Sequence, residues 1–295
     1  MSETWFLFAF LAAFSWATSD LINKIGMSKG ENEYNALMSR FLWAIPLIAL
    51  FYLSKSDLKI PNLNAFLYIT IVILGDIAAS LLYMKALKMG EISVVAPLTS
   101  FAPVFMVLSS IIVLHEPPSL IPLAGIILVC LGSYILGIED LRQGFTKPIK
   151  NILKSKAGIF TIAAAFIFSI DTSIAKISLR YTDVYSFSLW YTVTFTLTFI
   201  VLSKALKKPL DPKGIIFKKK TLLIGILFGI GTVSFMKAIE STNISYVSSV
   251  GKLNLIISVI YGKIFFNEKH FKNRLLGTII IIIGVALVTY GSNKT

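Results

Sequence analysis

Long uncharged apolar runs follow one another along this chain, broken by short polar segments. Each run lasts about 19–23 residues, close to the ~20 needed to cross a hydrocarbon core at ~1.5 Å rise per residue. Ten such spans are predicted as helices. In the first half they are Trp5–Asn23, Tyr34–Leu53, Ala65–Leu87, Ser93–Leu114 and Pro118–Ile138. In the second they are Ala157–Ser178, Val184–Leu202, Thr221–Ile239, Ile244–Phe266 and Phe271–Tyr290. Most connections are short, so successive helices run antiparallel. Two are longer and basic: 139–156, read as a linker between halves, and 203–220, with its Lys218–Lys219–Lys220 run.

The halves repeat. At a constant offset of 152 residues, Ala12–Phe14 meets Ala164–Phe166, Lys24–Ile25 meets Lys176–Ile177, and Met84–Ala86 meets Met236–Ala238. Glu116 meets Glu268, Gly125 meets Gly277, and Gly132 meets Gly284. Runs of three at one offset mark a repeat better than single apolar identities do. Each repeat holds five spans. An odd number forces the second half to enter the bilayer from the opposite side, giving an inverted repeat. The expected organisation is a first five-helix unit (1–138), a basic linker (139–156) and a second five-helix unit (157–295). The fold class is all-α integral membrane, with ten spans around a central cavity.

Composition agrees: 56% of residues are hydrophobic, 15% are charged, and mean hydropathy is +0.79. A soluble domain needs more charge to cover its surface. The net charge of +13 sits mainly in short segments between spans, so it is read as orienting charge and not as a nucleic-acid footprint. About 18 of the 28 Lys and Arg residues fall on the side of the first, third, fifth, seventh and ninth connections, against about four on the side of the termini. The positive-inside rule then places both termini outside. The start of the chain reads as a retained first span and not a signal peptide. One cysteine, Cys130, rules out an internal disulfide.

The segment Tyr83–Val104 (YMKALKMGEISVVAPLTSFAPV), the pair His115–Glu116, and Gly125 with Gly132 carry a resemblance. The second half repeats it as Phe235–Ser245, Asn267–Glu268, Gly277 and Gly284, with Ser248–Ser249 in place of Ala96–Pro97. On these residues the chain resembles the EamA-type members of the drug/metabolite transporter superfamily, over essentially its whole length. The resemblance implies ten helices in two halves around a central cavity. It implies both termini inside, against the charge count, and leaves the solute unspecified.

Ionisable residues within spans are the candidate chemistry. A charge at mid-bilayer costs roughly 2.5–3.5 kcal/mol, several times what one Leu or Ile returns, so such groups face a bundle interior or water. The candidates are Asp20, Arg40, Asp76, Asp171, Lys176 and Lys252. Asp76 is read either as a proton or cation relay or as half of a structural ion pair. The offset lays Ser19–Asp20 over Asp171–Thr172, one carboxylate per half at nearly one depth. Together these could bind a substrate amine or share a proton. Alternatively, each pairs along its own helix with Lys24 or Lys176. Arg40 and Lys252, the latter beside Asn254, are the cationic candidates for a substrate carboxylate or phosphate. Pro97 and Pro103 bracket Thr99 and Ser100 and can open backbone carbonyls toward a cavity. Trp16, Tyr83, Trp190, Tyr191 and Phe235 are a candidate aromatic lining, and Glu116 is read as a structural helix-start carboxylate.

No G-x-S-x-G, H-E-x-x-H or phosphate-binding glycine loop is present, and no cofactor or metal is expected. The expectation is a secondary or facilitative transporter of a small polar metabolite, an amino acid or related compound among the candidates, in the plasma membrane. Its partners are lipid, a small-molecule substrate and, as an option, coupled protons. A non-transporting receptor-like or scaffold protein is the competing class.

Overall fold

A computed structural model describes residues 4–27, 29–55, 60–89, 101–137, 155–207, 210–211, 219–266 and 271–292. These residues hold helices and no strands. The first half contributes α1 (Thr4–Met27), α2 (Glu33–Leu53), α3 (Leu63–Met89), α4 (Ala102–Ser109, continuing as a π-helical turn Ser110–Leu114) and α5 (Leu120–Gly137). The second contributes α6 (Lys156–Ser178), α7 (Val184–Ala205), α8 (Lys219–Ser241), α9 (Ile244–Gly251), α10 (Leu253–Phe266) and α11 (Phe271–Ser292). Seven stretches are long and apolar enough to cross a bilayer, with α9 and α10 counted as one. Three shorter apolar helices, Ala102–Leu114, Leu120–Ile135 and Leu276–Ser292, accompany them.

Helix starts follow capping chemistry. The side chains of Asn32, Ser155, Asp183 and Asn243 accept hydrogen bonds from the first-turn backbone N–H groups of α2, α6, α7 and α9. Asp183 also holds Lys55 at 3.1 Å, joining the end of α2 to the start of α7. Burial pushes the Asp183 carboxyl up. Hydrogen bonds from the Ser186 hydroxyl, Lys55 and the backbone N–H groups of Ser186 and Tyr185 outweigh it and hold the group below the usual carboxylate range. Inside the helices, hydroxyls bond back one turn, as Thr192 does to Ser188 and Thr196 to Thr192. That leaves little polarity for a bilayer to desolvate.

One difference from the expected elements is a break. The span expected over Ile244–Phe266 is interrupted at Lys252, where α9 ends and α10 begins. The repeat mate of Lys252 at the 152 offset is Ser100, and α10 is the mate of α4 plus its π turn. The fourth span of each half therefore has a helix starting at the same repeat position. The expected lining residues Pro97, Thr99 and Ser100 lie outside the described residues.

The repeat geometry is readable from one crossing. A Cβ on Gly125 would lie 2.6 Å from the Gly284 carbonyl oxygen, and one on Gly132 would lie 2.8 Å from the Gly277 carbonyl oxygen. Gly284 is the repeat mate of Gly132, and Gly277 of Gly125. Residue i touching the mate of j while j touches the mate of i is the signature of a two-fold axis. Because the pairing runs in opposite chain directions, α5 and α11 are antiparallel and the second half is inverted. The other packing obeys the same exchange: α2 lies on its own mate α7, α1–α8 corresponds to α6–α3, and α1–α10 to α6–α4. Most of the burial is therefore between halves. Along the α2–α7 seam, Phe187, Tyr191, Phe195 and Phe199 pack ring against ring at four-residue spacing, and Phe41 stacks on Phe195 at 3.8 Å.

Ion pairs join helix ends on two sides. Glu31 meets Lys220 at 2.5 Å on the side where α1 ends and α2 and α8 begin, here called the basic face. On the opposite, terminal face, Lys176 at the end of α6 donates to Glu116 at 2.6 Å and to the Thr242 carbonyl at 2.8 Å. Asn243 donates to the Glu116 carbonyl, and Tyr246 accepts from the Ser119 N–H. This cluster fastens the approach to α5 in one half to α6 and α9 in the other. It corrects two expectations. Glu116 precedes α5 by four residues and serves as the acceptor for Lys176, not as a helix-start carboxylate. Lys176 does not pair with Asp171.

Candidate functional site

Two niches, related by the two-fold axis, hold most of the intramembrane charge. Each is built from a first helix, a second helix and the third helix of the other half. The first niche uses α1, α2 and α8; the second uses α6, α7 and α3. Asp20 and Asp171 both lie seven residues before the end of their helices, and Arg40 and Tyr191 both lie seven residues after the start of theirs. At ~1.5 Å per residue these groups sit about 10 Å inside their respective faces. The first niche lies toward the basic face, the second toward the terminal face.

In the first niche Arg40 donates to Asp20 at 2.5 Å, and its guanidinium lies 5.9 Å from the Phe228 ring. Sequence spacing offered Lys24 as the partner of Asp20; the structure supplies Arg40 from the neighbouring helix instead. A guanidinium that can also stack on a ring suits a semi-exposed pair of this kind. Trp16 packs against Phe235 and Phe228, one turn from Asp20.

The second niche carries no such cation among the described residues. Tyr191 donates its hydroxyl to Asp76 at 2.6 Å. Asp171 packs its carboxylate against Gly75, where a Cβ would collide with it, so the two carboxylates flank one turn of α3. Asp171 Oδ2 is buried without a hydrogen-bond partner. The repeat mate of Arg40 is Thr192, whose hydroxyl is spent on the Ser188 carbonyl. One niche is thus neutralised internally and the other is purely acidic.

The niches also differ in exposure at equivalent positions: the Asp20 side chain is 53% exposed and Arg40 23%, whereas their repeat mates Thr172 and Thr192 are half-buried and buried. The exposed apolar residues of α1 are Leu7, Phe10, Leu11 and Phe14. At ~100° per residue Asp20 lies about 130° around the helix from the middle of that stripe. Its exposed surface is therefore on the inward side of α1, facing an opening between helices and not lipid. The niche near the basic face is open. The niche near the terminal face, beneath the Lys176–Glu116 cluster, is the more closed of the two.

Of the expected site residues, the structure brings Asp20 together with Arg40, and Asp76 with Asp171. It does not place Asp20 against Asp171. Lys252 stands apart, at the α9–α10 break, with Asn254 at the start of α10, whose Oδ1 is buried without a partner. Sequence reasoning missed Gly75 and listed Tyr191 only as a lining aromatic. A usable signal was present: at the repeat offset Tyr191 sits beside the mate of Arg40.

The chain matches the model of the EamA-like transporter family twice, over residues 3–138 and 155–290, two ranges that are themselves 152 residues apart. It is 25% identical over 289 residues to an uncharacterised transporter of Archaeoglobus fulgidus, covering 96% of each chain. It is 25% identical over 302 residues to a putative sugar uptake protein of Streptococcus agalactiae, again covering 96% of each. A WAT1-related protein of Arabidopsis thaliana matches at 24% identity, over 91% of this chain and 83% of its own. A solved crystal structure shares the fold with a TM-score of 0.76 at 14% identity, covering 98% of both chains.

Proposed function

Because this chain belongs to the EamA-like transporter family of the drug/metabolite transporter type, and is an integral multi-pass membrane protein, we propose that it is a secondary or facilitative carrier of a small polar metabolite working by alternating access. Ten spans in two inverted sets of five would cross the plasma membrane. The single observation that supports this reading most is the pair of equivalent niches, one open toward the basic face and one more closed beneath the terminal face. Two inverted halves can exchange those conformations at small net cost, since the two-fold axis carries each state close to the other. In that exchange the Lys176–Glu116 cluster opens.

The substrate is a small polar molecule that tolerates the neighbouring charges. The sugar uptake name of the streptococcal relative puts sugars in the first panel, beside amino acids. Purified protein in proteoliposomes should exchange at least one member of such a panel. Asp20→Asn, Asp76→Asn, Asp171→Asn and Lys252→Gln should each slow that exchange while leaving membrane insertion intact. A monodisperse, folded protein inert to the whole panel would count against the carrier reading. Full activity in all four variants would remove these residues from the site.

A further inference from the structure

Among the described residues, the acidic niche of the second half lacks the positive charge that its counterpart contains. Asp20 has Arg40. Asp76 and Asp171 have a tyrosine hydroxyl, a glycine backbone and, where the arginine would stand, a threonine bonded to its own helix. The described neighbours offer no substitute. On α6 itself Lys176 is held by Glu116 and the Thr242 carbonyl. On α8 the Lys237 ammonium lies over the Tyr185 ring at 4.9 Å. From α4, Ser109 reaches α6 at the Ser169 carbonyl, two residues from Asp171. Among the described residues, the titratable groups that face Asp171 are Asp76 and Tyr191. Its Oδ2, in a residue 95% out of solvent contact, remains without a donor.

Two ionised carboxylates this close repel each other; the Tyr191 hydroxyl offsets part of the cost at Asp76, and no hydrogen bond offsets it at Asp171 Oδ2. One added positive charge resolves this. A metal ion fits poorly: no cluster of three or more acidic, His or Cys side chains occurs among the described residues, and the Asp171 carboxylate is pressed against Gly75. A hard cation such as an alkali or alkaline-earth ion needs a shell of several oxygens with room around it. A proton needs neither.

Building on the carrier reading above, we propose that Asp76 and Asp171 form the coupling site for one proton, which stands in for the charge that Arg40 supplies in the other half. In the state seen here this niche is the more closed of the two. Opening that face would hydrate the niche and release the proton there. For the cycle to couple, the proton lost there is replaced from the basic face before the niche closes again. Tyr191 acts as a positioning residue, fixing the Asp76 carboxylate by its hydrogen bond.

The test needs no knowledge of the solute. The full chain in lipid nanodiscs, in choline buffers, is examined by pH-difference infrared spectroscopy in H2O and D2O. The wild type should show a titrating carboxylic-acid carbonyl band that shifts in D2O. Asp171→Asn and Asp76→Asn should each abolish it, Tyr191→Phe should displace its pH midpoint, and Asp20→Asn should leave it in place. The assignment is overturned if the band survives either asparagine substitution, at 171 or at 76, or disappears with Asp20→Asn. Loss of the band on adding sodium at fixed pH would also overturn it, in favour of a metal-ion site. Size-exclusion profiles establish that each variant is folded, and either asparagine variant alone suffices. The two readings fail separately. Solute flux by wild type with a band indifferent to both substitutions sinks the proton site only. The expected band in a protein that carries no solute sinks the carrier only.

Discussion

Gly125→Val should abolish recovery of folded protein, and Gly284→Val should do the same. At this crossing the neighbours of an added Cβ are backbone atoms: the Gly284 carbonyl oxygen at 2.6 Å and the Val288 nitrogen at 2.8 Å for Gly125, and the Gly125 carbonyl oxygen at 2.7 Å for Gly284. Backbone cannot rotate away as a flexible side chain can, so α5 and α11 must separate. Overpacking alone costs about 1–3 kcal/mol. Here the separated helices also lose the close backbone approach that drives association in lipid, where no hydrophobic effect holds helices together. The loss is a large part of a marginal stability. The check is monodisperse yield and thermal unfolding in detergent. Gly251→Ala is the control: nothing lies within 4 Å of its added Cβ and it has no positive φ, so it should be tolerated. Normal yield of both valine variants would mean that the α5–α11 contact is not the seam between the halves.

Gly75→Ala should silence transport in a protein that still inserts. A methyl group at that position occupies the space of the Asp171 carboxylate, so Asp171 is displaced or α6 moves. The opposing term is intrinsic: alanine is favoured over glycine in a helix by about 1 kcal/mol. The sign of the outcome therefore depends on Asp171. In a wild-type background the substitution should lower stability and stop solute exchange. In an Asp171→Ala background, where the carboxylate is gone, it should be neutral or stabilising. That reversal, measured as a double-mutant cycle of thermal stability, isolates the contact. Additive effects would show that Gly75 and Asp171 do not share the space.

Several features were legible in the sequence, and the reason is that they depend on local composition. Spans follow from apolar length, and the inverted plan follows from an odd number of spans per repeat. Gly125, Gly132, Gly277 and Gly284 were visible as repeat mates. What they touch was not, because the exchange of partners across a two-fold axis is a property of the assembled halves. The same limit explains Asp20. A four-residue spacing made Lys24 the natural local partner, but Arg40 reaches it from another helix. Glu116 and Lys176 are 60 residues apart and meet only because α6 lies beside the approach to α5. The break at Lys252 carries no proline. Its nearest sequence sign is Gly251, a weak helix former beside a charged residue.

The central claim is that two equivalent niches on inverted halves open to opposite sides, one at a time. Asp20 and Thr172 are repeat mates and report on it directly. Single cysteines at these two positions, in a Cys130→Ala background, can be labelled in oriented membranes by an impermeant thiol reagent added to one side. The account predicts fast labelling at position 20 from the basic face only and slow labelling at position 172 from the terminal face only. Lys176→Met, which cuts the terminal-face cluster, should slow the first and speed the second. Labelling of both positions from the same side, or rates that rise and fall together, would contradict it.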